Sequence, residues 1–196
     1  SYMPLISIIL IITDKNFDDL KNTIDSIKNQ TYDNWQIIIF SIDSLKNTSR
    51  INELIERNNS KILFCETLSD TSFNNIFNFN SDFIGFIDTG IELSKFALYE
   101  FTKEINQYPN SEILYSDHDY LDQNNVHVNP FFKPNWSPYL FRSTDYLSSF
   151  YIIKKNVLEK INSNLIVNNC FNFDILLQST EITKFIHHIS IPLYSI

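Results

Sequence analysis

Glycine is scarce in this chain: 2 of 196 residues, where an ordinary share of about 7 % would give about 14. The deficit excludes the phosphate cradles that depend on glycine. A P-loop needs two glycines and a lysine at fixed spacing, and a dinucleotide fingerprint needs three glycines at a strand-to-helix turn. Gly85 and Gly90 are five apart, and neither precedes a Lys-Ser/Thr pair. A nucleotide bound here is held by something else. Long apolar runs are also missing. The best, residues 5–12, is interrupted by Ser7 and is far short of the roughly 20 residues that cross a bilayer. Positive charge is in deficit, with 15 Lys and Arg against 23 Asp and Glu and a net charge of −8. That excludes a general nucleic-acid footprint and leaves room only for a local basic pocket. The two cysteines, Cys65 and Cys170, form no metal or redox motif. A bridge between them stays open, but a reduced, cytoplasmic setting is simpler. Residues 1–4 carry no basic n-region, so no secretory signal is expected. Alanine occurs once (Ala97) and arginine three times, while Asn, Ile, Lys, Phe and Tyr are abundant. The abundant types share AT-rich codons, and that pressure also converts Asp to Asn.

What is present is a regular alternation of short apolar runs and amphipathic stretches. Strands are predicted at residues 5–12, 36–42, 61–65, 83–87 and 112–116. Helices are predicted at 18–29 (capped by Asn16 or Asp18), 49–57, 72–80 and 94–107, the last capped by Ser94 and ended by Pro109. Alternation of this kind is the mark of parallel βαβ units. The ligand of such a doubly wound sheet sits beyond the carboxyl ends of its strands. The residues there are Thr13 and Asp14, Ser41 to Ser44, Asp88 to Gly90, and Ser116 to Asp119. The second half reads differently. Residues 117–138 suggest a functional loop rich in Pro and aromatics, followed by a strand at 145–154, a helix at 172–179 and a last strand at 185–191.

Five pieces, in order, resemble the family 2 glycosyltransferases of GT-A fold. They are Pro4-Leu5-Ile6-Ser7-Ile8-Ile9-Leu10; Gln30-Thr31-Tyr32-Asp33-Asn34-Trp35-Gln36-Ile37; Phe86-Ile87-Asp88 with Ala97-Leu98-Tyr99-Glu100; Leu114 to Asp119 with Pro130-Phe131-Phe132-Lys133-Pro134-Asn135-Trp136-Ser137-Pro138; and Phe173-Asp174-Ile175-Leu176-Leu177 with Leu193-Tyr194. The fourth is similar to bacterial members that build surface polysaccharides. The resemblance covers nearly the whole chain. It implies one GT-A domain over residues 1–196: a mostly parallel, doubly wound, Rossmann-like sheet flanked by helices. Residues 1–116 would be the nucleotide-binding half and 117–196 the acceptor-side half, within one domain that is itself a candidate piece of a longer polypeptide.

It also implies inverting transfer of a sugar from a nucleotide-diphosphate donor to a glycan or lipid-linked acceptor. Neutralising the leaving diphosphate calls for Mn²⁺ or Mg²⁺, hard ions that prefer carboxylate oxygens. Deprotonating the acceptor calls for a carboxylate base. The implied donor-binding positions are Thr13, Asp14, Ser41, Asp43 and Asp88; Asp88 is also the metal position, Asn172 and Asp174 mark the base, and Asp117, Asp119 and Trp136 lie on the acceptor side. At three points the chain departs from the family. Ser41 and Ile42 stand where two aspartates end the second strand, Gly90 stands for the second metal carboxylate, and Asn172 stands at the base. An amide takes no proton at neutral pH, and loss of a positioned base costs about 10²–10⁴ in rate. The expectation is therefore a glycosyltransferase-like domain with weak or lost activity, using Mn²⁺ or Mg²⁺ if active and no metal otherwise. The alternatives are an active enzyme using Asp43, Asp117, Asp119 or Asp174, and a non-catalytic scaffold or carbohydrate- or protein-interaction domain of a larger protein. Peripheral contact with a membrane is compatible with each.

The same residues have plainer readings. Asp88 and Asp14 suit a turn cap and a helix entry. Trp136 suits a loop anchor. Lys133 and Arg142 read as surface charges, His187 and His188 as structural, and the cysteines as small buried hydrophobes. A receiver-like signalling domain built on Asp14, Asp43 and Asp88 is disfavoured by residues 117–138, which that smaller fold has no place for.

Overall fold

In a computed structural model, which describes residues 1–12, 19–41, 60–65, 79–147, 149–161 and 171–196, the Ile-rich first run is strand β1 (Ile6–Ile12). Its side chains divide between two cores: Ile8, Leu10 and Ile12 on one face of the sheet, Ile9 on the other. A strand buried on both faces needs helices on both. Helices α1 (Leu20–Lys28) and α2 (Ala97–Gln107) cover the first face through Leu20, Ile24, Ile27, Leu98 and Phe101. Helices α3 (Pro138–Ser143), α4 (Lys155–Leu158) and α5 (Phe171–Ile182) cover the second through Phe141, Val157, Leu158, Ile175 and Leu176.

Strands β2 (Trp35–Ser41), β3 (Ile62–Cys65) and β4 (Phe83–Ile87) complete a parallel half with β1 at its centre. Ile6 pairs with Trp35 on one side and Phe83 on the other. The remaining strands are β5 (Glu92–Leu93), β6 (Ile113–Leu121), β7 (His127–Phe131), β8 (Phe150–Lys154) and β9 (Ile186–Ser195). The sheet order is β3-β2-β1-β4-β8-β6-β9-β5, with β7 paired to β6. β8 runs antiparallel to both β4 and β6, whereas β9 is parallel to β6. The expected parallel sheet therefore holds from β3 to β4 and turns mixed beyond it.

The Gln-Thr-Tyr turn acts as a clasp. Gln30 Oε1 accepts the Leu98 N–H at 3.0 Å, its Nε2 donates to the Ser94 carbonyl at 2.8 Å, and Tyr32 OH donates to the Pro4 carbonyl at 2.6 Å. These bonds tie α1 to the start of α2 and to the entry of β1.

Several expectations change. Ser94 does not cap the following helix with its side chain: Phe96 occupies the cap without a side-chain bond, and Ser94 contributes its carbonyl to the Ala97 N–H at 2.8 Å. The proposed caps Asn16 and Asp18, the helix at 49–57 and most of that at 72–80 lie outside the described residues. The long loop predicted at 117–138 is largely a hairpin. β6 continues to Leu121 and returns as β7. The Asp122 carboxylate closes the turn by accepting the N–H groups of Asn124 and Val126 at 2.8 and 2.9 Å, and Asn125 takes φ 57°. Polar residues in β6 concealed the strand, because they are buried in pairs rather than exposed. Residues 145–147 precede β8 instead of belonging to it, and β9 extends past residue 191. Gly85 lies in the middle of β4 facing Ile152 of β8. A Cβ there would meet Ile152 Cγ2 at 3.1 Å and Phe150 Cε2 at 3.3 Å, so the glycine makes room for the neighbouring strand. Among the described residues no helix is long and apolar enough to cross a membrane.

Candidate functional site

Because β1, β2 and β4 run parallel, their carboxyl ends share one edge of the sheet. Ser41, fully buried, ends β2 there. Asp88 follows β4 directly, held by its N–H on the Ser149 carbonyl at 3.3 Å. Ser149 has φ 95°, a backbone state that costs a non-glycine residue of the order of 1–3 kcal/mol and often marks a functional edge. Across that edge the first turn of α5 brings Asn172, whose Nδ2 donates to Asp88 Oδ1 at 2.7 Å. The Asn172 carbonyl in turn accepts from Tyr151 OH at 3.0 Å. The metal position and the base position of the sequence reading therefore meet, as a carboxylate and an amide.

The Asp88 residue presents surface overall, yet its carboxyl group is surrounded closely enough for desolvation to dominate. Burial raises its pKa, the negative charge of Asp145 adds to the rise, and the Asn172 amide opposes it. Asp145, which sequence reasoning missed, thus lies near enough for its charge to bear on Asp88. Nothing in its surroundings in the chain singles it out; the turn between α3 and β8 carries it there.

Gly90 takes φ 91°. A Cβ would have room, with Asp19 Cβ at 3.7 Å, so conformation rather than crowding favours glycine. The Gly90 N–H donates to Thr23 Oγ1 at 2.9 Å, which fixes the turn on α1. Among the described residues no group of three His, Cys, Asp or Glu could hold a metal ion. Asp174 lies in the first turn of α5, partly buried. Thr13, Asp14 and Asp43 lie outside the described residues.

On the acceptor side, Asp117 is engaged inside the fold. It is 1 % exposed, and its Oδ1 accepts the Lys133 N–H at 2.8 Å and meets His188 Nε2 at 2.7 Å. His188 stacks on Tyr115 with centroids 4.9 Å apart. Asp119 takes the Ser195 hydroxyl and meets His127 Nδ1 at 3.0 Å. Trp136 packs against the second core, 5.5 Å from the Phe141 ring, as a loop anchor does. Lys133 corrects the surface-charge reading: it is buried, and its Nζ donates to Tyr194 OH at 2.7 Å. Burial pushes its pKa down to about 7, with Asp117 and Asp145 pulling the other way. Burial also lowers His118 to about 4. Its ring lies 5.2 Å from Tyr194 and 5.1 Å from Phe131, and Nδ1 has no partner among the described residues.

With this geometry in hand, comparison with known proteins is informative. No protein-family model matches the chain. It is 30 % identical, over 99 % of its length, to the O-antigen biosynthesis protein RfbC of Myxococcus xanthus, and it spans 16 % of that protein. It is 24 % identical over 98 % of its length to the uncharacterized protein y4gI of Sinorhizobium fredii, of which it spans 22 %. The chain thus spans less than a quarter of either relative. Among solved structures, S. aureus TarS 1–349 in complex with UDP-GlcNAc superposes with a TM-score of 0.72 at 16 % identity, over 97 % of this chain and 58 % of that one. This likeness establishes the GT-A fold.

Proposed function

We propose that this glycosyltransferase-like domain of GT-A fold binds a nucleotide-diphosphate sugar at the carboxyl edge of β1, β2 and β4 and serves surface-polysaccharide assembly, with sugar transfer weak or lost. The bond from Asn172 to Asp88 carries this reading. At the base position there is an amide, which accepts no proton at neutral pH. It is also engaged with the one carboxylate the edge retains from the expected metal pair.

A divalent ion of the Mn²⁺ or Mg²⁺ type wants about six oxygen ligands. The described residues offer Asp88, already bonded to Asn172, with Asp145 near enough for its charge to be felt there, while Gly90 brings no side-chain oxygen. That donor set does not fit the ion, so no step is assigned to one. The relative in O-antigen biosynthesis supports a glycan setting, and the complex of TarS with UDP-GlcNAc supports that donor as a first probe. The larger size of the relatives supports further domains as partners. A glycan acceptor and a cytoplasmic location remain parts of the proposal.

A second reading, an active enzyme with displaced carboxylates, is favoured by one observation: burial, with the charge of Asp145 adding to it, raises the pKa of Asp88, as the proton-holding member of an acid–base pair would require. Thermal-shift and calorimetric titration with UDP-GlcNAc and with GDP- and TDP-sugars, with and without Mn²⁺, separates the two. The proposal expects binding that Mn²⁺ does not strengthen, together with little or no turnover. Absence of binding across the panel overturns the donor site, and robust turnover by the unaltered chain overturns the loss of activity.

A further inference from the structure

A cleft of about 760 Å³ opens between α1, β5 and the tip of the β6–β7 hairpin. Asp88, Asp145 and Asn172 are not among its walls; Asn22, Asp25, Ser26 and Asn29 line it along α1. Its volume falls within the range of small-molecule sites, roughly 300–1,000 Å³. Its lining differs from that of a nucleotide site. Asn22 and Asn29 project from α1, Asn125 from the hairpin turn, Glu92 from β5, and Phe96 and His127 complete the walls. The three asparagine side chains make no hydrogen bond within the described residues. Phe96 is 48 % exposed, with Lys95 Nζ over one face at 4.9 Å.

The walls are fixed from behind. Ser26 Oγ of α1 accepts the Leu93 N–H at 3.0 Å, holding β5 against the helix. Glu92 stands opposite Ser195 across β5 and β9, and Ser195 donates to Asp119. His127 uses Nδ1 for Asp119 at 3.0 Å, which leaves Nε2 for a ligand.

Electrostatics narrow the ligand class. Asn29 is the C-cap of α1, so the negative end of the helix dipole faces the cleft and disfavours phosphate or carboxylate. Glu92 and Asp25 act in the same sense, and Lys95 acts in the opposite one. Free planar amides, a carboxylate and an exposed aromatic ring are the groups that match vicinal hydroxyls and the apolar face of a sugar. We infer that this cleft is a binding site for an uncharged oligosaccharide, separate from the donor edge. The inference rests on the lining, and it holds whether or not the Asp88 edge transfers sugar.

The test is a two-dimensional ¹⁵N–¹H titration of the 196-residue chain with cellotetraose, chitotetraose, maltotetraose and laminaritetraose, and separately with UDP-GlcNAc and tripolyphosphate. At least one tetrasaccharide should shift the side-chain amides of Asn22, Asn29 and Asn125 while leaving Asn172 unmoved. The double variant N22A/N29A, altered on an exposed helix surface, should keep its dispersed spectrum and bind that sugar about tenfold more weakly. UDP-GlcNAc should act near Asn172 instead, so failure at the cleft and failure at the donor edge are read independently. The inference is overturned if no tetrasaccharide moves those amides, if tripolyphosphate moves them more strongly, or if the double variant binds unchanged.

Discussion

Asn172 and Asp88 lie 84 positions apart in sequence and meet at 2.7 Å, amide to carboxylate, where β4 ends and α5 begins. The bond satisfies a carboxylate that burial and Asp145 both push toward protonation. Replacing the amide with a carboxylate therefore tests what the pair does. Asn172→Asp removes the donor and adds a third negative charge beside Asp88 and Asp145. Loss of a hydrogen bond to a charged group costs about 1.5–3 kcal/mol. Urea unfolding at pH 7 should show destabilisation of that order. The loss should shrink at pH 5, as the carboxyls share protons. Equal destabilisation at both pH values would contradict the arrangement.

Gly90 stands where the resemblance expects a second carboxylate, and its φ of 91° explains why placing one there is not a simple exchange. Gly90→Asp should lower stability by about 1–3 kcal/mol through backbone strain. Gly90→Ala should cost a similar amount, since the space beside Asp19 is open. Thermal melts of the two variants check this. In calorimetry with Mn²⁺, Gly90→Asp alone should gain no binding, because Asn172 still occupies Asp88.

Lys133 makes stability depend on alkaline pH. Its pKa in the folded chain is about 7, against about 10.4 for an unburied lysine. Between these values the unfolded chain holds more protons than the folded one, so stability rises with pH across the window. Below pH 7 the fold must carry the buried charge. Urea midpoints measured from pH 7 to about 9.5 should rise for the unaltered chain relative to Lys133→Met. Parallel profiles would sink the prediction.

His118 acts in the acid range. Folding lowers its pKa from 6.5 to about 4, so the unfolded chain takes up the proton first as pH falls between those values. The stability present above pH 6.5 is progressively lost toward pH 4. Nδ1 has no partner among the described residues, and the ring packs among Tyr194, Phe131 and Tyr120. His118→Phe should therefore cost less than about 1.5 kcal/mol at pH 7, and its melting temperature should fall less than that of the unaltered chain on acidification.

The residues show where sequence reasoning reaches and where it stops. Ile6 to Ile12, Trp35 to Ser41 and Phe83 to Ile87 announce buried strands through local hydrophobicity alone, and Leu20, Ile24 and Ile27 announce the helix between them. Local apolar pattern suffices there because each element is buried by its own face. The hairpin of β6 and β7 was hidden because Asp117 and Asp119 are polar by type yet satisfied by His188 and Ser195 far along the chain, while His118 is buried among aromatic rings. Lys133 read as a surface charge for the same reason: its partner Tyr194 is 61 residues away.

By itself the sequence determined the parallel half of the sheet, the order of the GT-A pieces and the two identities, Gly90 and Asn172, on which the proposed loss of activity rests. Those are properties of residue type and local period. Only the tertiary structure decided that Asn172 engages Asp88, that the charge of Asp145 reaches Asp88, that Asp117 is internal, and that a polar cleft lies along α1. Each of these depends on which distant segments share a sheet edge. Chain crossings set that, and no local pattern encodes them.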